Sequence, residues 1–444
     1  MGRNDCGRRR KCLGGSVTHI PTFVETNRAL PFVSVVVSFR SGSVHDPPER
    51  EGLSRITARM LRRGCEGYTK EKIEESIDAL GAEFGADTLM SGTTVSFEVI
   101  ARSLDKMVDL VSTMLSKPTF AEEELARLLR ESKAELIESR DSDRLLAGRA
   151  FRRTLFANHP YGRRAAGTLQ TLAVIGKADV LAFYKRHYTQ RNVVVAISGD
   201  ISEAEANGVA QRLMAGLPEG EPVPDAASPP TIAPGRRLVI VDKPDRTQCQ
   251  MIAGGLGTHP RDSDHVPLFV ANTIFGGTFT SRLMQEIRVK RGWSYGASSR
   301  AGFDRQRDAF AMSAAPAATD APACLSLMID LLAAFRKDGI TQEELDFAKK
   351  YLVRSHAFEI DTARKRVHQK LESALYDLPE GYHATFLEKV QATTLRAANA
   401  AVRERLSEDD MVIAAVGTAS EVADALSKAV PKLANVTVVP FDIE

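Results

Sequence analysis

Several features that would point to a function are scarce in this 444-residue chain. It has five cysteines, Cys6, Cys12, Cys65, Cys249 and Cys324. They are scattered and odd in number, and no pair has the spacing of a metal clip or a disulfide framework. Isolated, reduced thiols are expected. No run of eighteen apolar residues occurs, which excludes a membrane-spanning helix. The segment from Cys12 to Phe23 is too mixed to serve as the apolar part of a signal peptide. A cytoplasmic protein is therefore expected, or a periplasmic one if the natural start lies elsewhere. A charge excess is missing too. The balance of 59 Lys+Arg against 57 Asp+Glu leaves +2, so no strong field argues for nucleic acid. The exception is the cluster Arg3, Arg8, Arg9, Arg10 and Lys11, which reads as a solvated tail or, less commonly, a basic binding arm.

What is present fits a globular protein of more than one domain, with 43% apolar and 26% charged residues. Residues 216–236 read GLPEGEPVPDAASPPTIAPGR, rich in proline and glycine and without apolar periodicity. That composition marks a linker. The expected organisation is a basic tail over 1–24, a domain over 25–215, the linker over 216–236 and a second domain over 237–444.

The two halves resemble each other. The first opens with the β-rich run Phe32–Phe39, the second with Arg237–Asp242 and Gln248–Ala253. Both continue into helical sections, including Ala121–Ser139 and Thr341–Arg354. Both close with a strand, a glycine and an amphipathic helix: Asn192–Gly199 then Glu203–Leu213, and Asp410–Gly417 then Glu421–Val430. The repeat unit is a whole domain. The fold class expected is α+β: two homologous α/β sandwich domains, each an antiparallel-rich sheet covered by helices.

Within Gly52–Met60, Arg55, Ala58 and Arg59 are spaced i, i+3 and i+4, on one helical face. His, Glu and His at that spacing would hold zinc and a general base. An arginine cannot be deprotonated in a protein and so cannot ligate a cation.

A set of segments then follows in a characteristic order. Phe39-Arg-Ser-Gly-Ser-Val-His-Asp-Pro47 precedes the Gly52 helix; Asn158-His-Pro-Tyr-Gly162, Gly167-Thr168 and Phe183-Tyr-Lys-Arg-His-Tyr188 come next. The second half carries Asn272-Thr-Ile-Phe-Gly-Gly277, Ser281-Arg-Leu283 and Glu286-Ile-Arg-Val-Lys-Arg-Gly-Trp-Ser-Tyr295. Together, over about residues 25 to 440, they resemble the pitrilysin/insulinase-type zinc metallopeptidases, in particular the two-chain branch typified by mitochondrial processing peptidase. The resemblance implies that Arg55, Ala58 and Arg59 occupy the places of a His-x-x-Glu-His motif. It also implies that Glu135 lies near the place of the third metal ligand. No metal and no cofactor are expected in this chain; Glu135 is expected to pair with Arg55 or Arg59, satisfying charges that are costly to bury alone.

In the same family an Arg and a Tyr of the second half lie near the substrate, and Arg288 and Tyr295 match them. A guanidinium and a phenol can donate hydrogen bonds to a peptide carbonyl as it becomes an oxyanion. Alone, Arg288 reads as one of several solvated charges and Tyr295 as a half-buried strand aromatic, in a strand starting near Ser294. Beside Gly276-Gly277 and Ser281-Arg-Leu283 the functional reading is preferred. The pair Gly276-Gly277 has no Lys-Ser/Thr after it and is not a phosphate loop; a tight turn or a close backbone approach is expected. Of the dispersed histidines His45, His159, His187 and His265, His159 and His187 are assigned to structure.

A hairpin is expected from Ser294–Phe303 and Asp308–Ala315, with Ala82–Ser91 and Gly92–Val99 as its first-half counterpart. The family binds substrate as an added strand at a sheet edge. The resemblance thus implies a non-catalytic, substrate-binding subunit of a heterodimeric zinc peptidase. Its partner would be a homologous subunit with an intact His-x-x-Glu-His that holds the zinc. The alternative is a purely structural or assembly subunit. No Ser/His/Asp or Cys/His arrangement has supporting context.

Overall fold

A computed structural model of the chain describes residues 20–443. The basic cluster before residue 20 and the cysteines Cys6 and Cys12 lie outside the described residues. The first half contains β1 (Thr22–Thr26), β2 (Phe32–Phe39), α1 (Leu53–Met60), the short β3 (Gly64–Cys65) and β4 (Tyr68–Thr69), α2 (Lys70–Ala79), β5 (Glu83–Thr88) and β6 (Thr93–Ile100). It continues through α3 (Leu104–Ser116), α4 (Glu122–Glu138), α5 (Asp143–Leu155), α6 (Leu169–Val174), α7 (Lys177–His187), β7 (Val193–Gly199) and α8 (Glu203–Met214). The second half has β8 (Arg236–Asp242), β9 (Gln250–Leu256), α9 (His265–Asn272), two π-helical segments (Thr273–Gly277 and Met284–Val289), β10 (Ala297–Phe303) and β11 (Arg307–Ala314). Then come α10 (Ala321–Asp338), α11 (Gln342–Ile360), α12 (Ala363–Leu375), α13 (Tyr382–Ala392), α14 (Leu395–Arg405), β12 (Val412–Gly417), α15 (Ala419–Ala429) and β13 (Leu433–Pro440).

The duplication is visible in the sheets. The first has the order β1-β7-β2-β6-β5 and the second β10-β11-β9-β12-β8-β13. Read from β5 and from β10, the two orders superpose strand for strand, and β13 is an addition at the far edge. Directions match as well: β1 runs parallel to β7 and β8 parallel to β12, while the remaining equivalent pairs are antiparallel. Period-two burial sets the faces, as in β2, where Val33, Val35, Val37 and Phe39 turn inward. Capping sets helix starts: Ser202 with Glu205 opens α8, and Thr341 with Glu344 opens α11.

Each half lends a helix to the other. α5 packs its Leu146, Ala147 and Phe151 against β8, β9 and β12. Its counterpart α12 lays Val367 and Leu371 on Val194 and Ala196 of β7. A polar knot joins the halves as well. Tyr161 Oη accepts the Gln306 N–H at 3.0 Å and lies 3.3 Å from Asp304 Oδ1. Ser91 Oγ donates to that same carboxylate, and Arg305 donates from Nε to the Leu375 carbonyl at 2.9 Å and from Nη1 to Asp225 at 2.5 Å.

Two sequence readings need correction. The tail expected over 1–24 is shorter, because Thr22–Thr26 forms β1, in register with Val195–Gly199. Phe23 and Val24 pack on the two faces of the sheet, which is why five residues suffice. The strand expected from Ser294 begins at Ala297. Ser294 turns its hydroxyl to the Gly296 carbonyl at 2.7 Å and to the Ala315 N–H at 3.0 Å, closing the approach instead of extending it. Cys65, Cys249 and Cys324 are buried free thiols. Among the described residues no helix is long and apolar enough to cross a membrane.

Candidate functional site

α1 is pinned before it starts. Gly52 has φ +98°, a left-handed conformation open to glycine, and the Asp46 carboxylate accepts the N–H of Gly52 at 2.9 Å and of Ser54 at 2.8 Å. Leu53, Ile56 and Met60 enter the core, which leaves Arg55 and Arg59 on the opposite face, toward α4 and β5. Ala58 is fully buried between them.

On that face Arg59 meets Glu135 of α4 at two points, Nη2–Oε1 at 2.7 Å and Nη1–Oε2 at 2.9 Å. Arg59 Nη1 also reaches Ser132 Oγ at 3.2 Å. Arg55 contacts Glu135 Oε2 at 3.4 Å and Asp87 of β5 at 3.2 Å. The hydrogen bonds from Arg59, and after them its charge and that of Arg55, hold the Glu135 carboxyl below the usual carboxylate range. One turn further, Arg63 pairs with Glu131 and with Glu124. Arg55, Arg59 and Arg63 at i, i+4 and i+8 thus face Glu124, Glu131 and Glu135 as a ladder between two helices. Sequence reading missed Arg63, Glu131, Glu124 and Asp87. The four-residue arginine period and the carboxylates at i, i+7 and i+11 on α4 were the available signal.

Zinc does not fit this face. Two of its three positions present guanidiniums, which have no lone pair to offer, and the lone carboxylate is committed to Arg59. Among the described residues no group of three or more His, Cys, Asp or Glu side chains could hold a metal.

In the second half, Arg288 lies on the π-helix Met284–Val289, and Tyr295 follows the left-handed turn at Gly292. The Arg288 guanidinium carbon sits 4.8 Å from the Tyr295 ring centroid and 4.7 Å from that of Phe279. Tyr295 is 89% exposed and lies outside any strand, which overturns its reading as a half-buried strand aromatic. The solvated-charge reading fits the neighbours better than Arg288 itself. Lys290 and Arg291 both pair with Glu286, at 2.5 and 2.7 Å, while Arg288 Nη1 is buried and has no hydrogen-bond partner. Arg282 of the Ser281-Arg-Leu283 motif is structural, tied to Glu344 at 2.6 and 2.8 Å.

Gly276 lies near the end of the other π-helix, Thr273–Gly277, against β10. A Cβ there would lie 2.2 Å from Ser299 Oγ and 2.3 Å from the Ser299 backbone nitrogen, so the close approach is the reason for glycine. The tight-turn alternative does not apply, since Gly276 and Gly277 belong to the helix. Two consecutive π segments are unusual and are frequent at functional sites. Asn272 seals part of the neighbouring edge by donating to the Ser299 carbonyl at 3.3 Å. His159 and His187 are structural: His159 bridges Tyr161 N–H and the Ser228 carbonyl, and buried His187 lies against Phe183 and His45.

Among the described residues no hydrogen bond or ion pair joins the arginine ladder to the Arg288 group. They sit beside β5 and β10, which are equivalent edge strands of the two sheets. A cavity of about 940 Å³ opens between Ser34, Thr94 and Ser96 on the first sheet and His356, His368 and His383 on α11, α12 and α13.

The description "Insulinase (Peptidase family M16)" matches residues 22–169, and "Peptidase M16 inactive domain" matches residues 175–352. The chain belongs to peptidase family M16. It is similar to the non-peptidase homolog YmxG of Helicobacter pylori, at 22% identity over 89% of this chain and 91% of that one. An uncharacterized zinc protease of Mycobacterium tuberculosis is 27% identical over 90% of this chain and 91% of its own length. A solved M16 inactive domain from Pseudomonas fluorescens superposes with a TM-score of 0.82 at 28% identity, over 89% of this chain and 95% of that one. A chain of Complex III2 from Candida albicans shares the fold, with a TM-score of 0.75 at 15% identity over 92% of this chain and 97% of that one. In this family member the face of α1 toward α4 carries an arginine–glutamate ladder.

Proposed function

We propose that this M16 chain is the substrate-binding subunit of a two-chain zinc peptidase. The partner is a homologous chain with an intact His-x-x-Glu-His, which supplies zinc as Lewis acid and the carboxylate base. This chain contributes Arg288 and Tyr295. The guanidinium and the phenol donate to the scissile carbonyl oxygen, and both bonds strengthen as charge builds on that oxygen.

The observation that carries this reading is the pairing of Arg288 with Tyr295: the guanidinium carbon sits 4.8 Å from the ring of a tyrosine that is 89% exposed, while the neighbouring Lys290 and Arg291 are taken up by Glu286. The position of Arg288 at the edge equivalent to β5 also favours completion of a site on another chain, since both groups occupy matching places in the repeat.

The test is co-expression with a homologous chain carrying the intact motif. The two chains are expected to co-purify, and peptide turnover by the pair is expected to exceed that of either alone. Stoichiometric zinc and hydrolysis by this chain alone would overturn the reading. Turnover by the pair no greater than by the partner alone would favour an assembly subunit.

A further inference from the structure

We infer that Phe279 is a positioning residue for Arg288. It holds the guanidinium through a ring, so that no carboxylate occupies the N–H donors a substrate oxygen would use. The role of that oxygen rests on the function proposed above; the hold itself does not.

Phe279 lies between the two π-helical segments and is 69% exposed, an unusual place for a large apolar ring. Its centroid is 4.7 Å from the Arg288 guanidinium carbon, matched by Tyr295 at 4.8 Å. Of the neighbouring cations Arg282, Lys290 and Arg291, the two arginines also lie over rings, Phe335 at 5.9 Å and Trp293 at 5.4 Å, but all three are fixed by a carboxylate as well. Arg282 is fixed by Glu344, and Lys290 and Arg291 by Glu286. A carboxylate fixes a guanidinium by occupying its in-plane N–H donors. An aromatic ring fixes it through the face and leaves the donors unused. Arg288 is held in the second way, between the rings of Phe279 and Tyr295. Tyr295 alone would hold it from a residue that is itself almost wholly exposed. Phe279 supplies a second ring from a separate segment.

The hold can be read in the isolated chain by phenylglyoxal labelling of Arg288 followed by peptide mass mapping. Phe279→Ala is expected to raise the Arg288 labelling rate about two- to five-fold. Phe279→Trp is expected to restore protection, and labelling of Arg282 serves as the unchanged internal control. In the assembled peptidase, Phe279→Ala is expected to lower kcat with little change in KM. Adding it to Arg288→Ala is expected to cause no further loss, because both remove the same interaction. If Phe279→Ala leaves Arg288 labelling unchanged, the inference fails. It fails equally if Phe279→Ala leaves turnover intact while Arg288→Ala impairs it. If Arg288→Ala itself has no effect on turnover, the proposed function falls, and the labelling experiment still decides whether Phe279 holds the arginine.

Discussion

Arg59 and Glu135 join α1 to α4 by a two-point ion pair, 2.7 and 2.9 Å long, with Arg55 at 3.4 Å on the same carboxylate. The face is organised as a charge-satisfied contact between α1 and α4, and this sets the first expectation. Glu135→Gln leaves two arginines one turn apart without their shared anion. Glu135 is 43% exposed, so solvent screening limits the loss to about 0.5–1 kcal/mol, read by urea denaturation. The pH dependence has a defined sign. The folded-state carboxyl titrates below its unfolded value, so its contribution is complete above the ordinary carboxylate range and is lost as pH falls through the folded-state value. Glu135→Gln should flatten that acid limb.

The same geometry allows a metal site to be built. Arg55→His with Arg59→His puts two imidazoles at i and i+4 facing Glu135. This double variant is expected to take up about one equivalent of zinc by calorimetry and metal analysis. It should not hydrolyse peptide, because Ala58 supplies no base. No zinc uptake by a folded double variant would show that Glu135 is misplaced as a third ligand.

Gly276 predicts a packing limit. Gly276→Ala drives a methyl into the Ser299 backbone and should cost about 1–3 kcal/mol, seen as a lowered Tm, with the Arg288–Tyr295 segment loosened.

The exchanged helices predict a single cooperative unit. Leu371 is 2% exposed and packs on the first sheet from the second half of the chain. Leu371→Ala should cost about 2–4 kcal/mol. Near- and far-UV signals should still move together. Unfolding of the second half alone would contradict the interlock.

Much of this was legible in the residues. The repeat could be read from matching strand–glycine–helix endings, and the shared helical face of Arg55, Ala58 and Arg59 from their i, i+3, i+4 spacing. The partnership of Glu135 with those arginines follows from charge once the family resemblance singles Glu135 out. Other features depend on long-range placement. β1 is short and follows a polar stretch, so only its pairing with β7 identifies it. β13 has the β-branched run Val436-Thr-Val-Val439, but an exposed edge strand lacks the buried alternation that would single it out. The ladder from Arg63 to Glu124 needs the packing of α1 on α4. Phe279 could not be linked to Arg288 from spacing, since a π-helix shifts the register that α-helical periodicity assumes.

The central claim is that a chain without a metal site still works on substrate through Arg288. Its most direct test is single-turnover peptide cleavage by the assembled two-chain peptidase, wild type against Arg288→Ala, with the partner's zinc content verified as equal. Loss of one oxyanion-type donor predicts a fall in the cleavage rate of about 10²-fold, with assembly unchanged. Cleavage at the wild-type rate by a fully assembled Arg288→Ala complex would contradict the account.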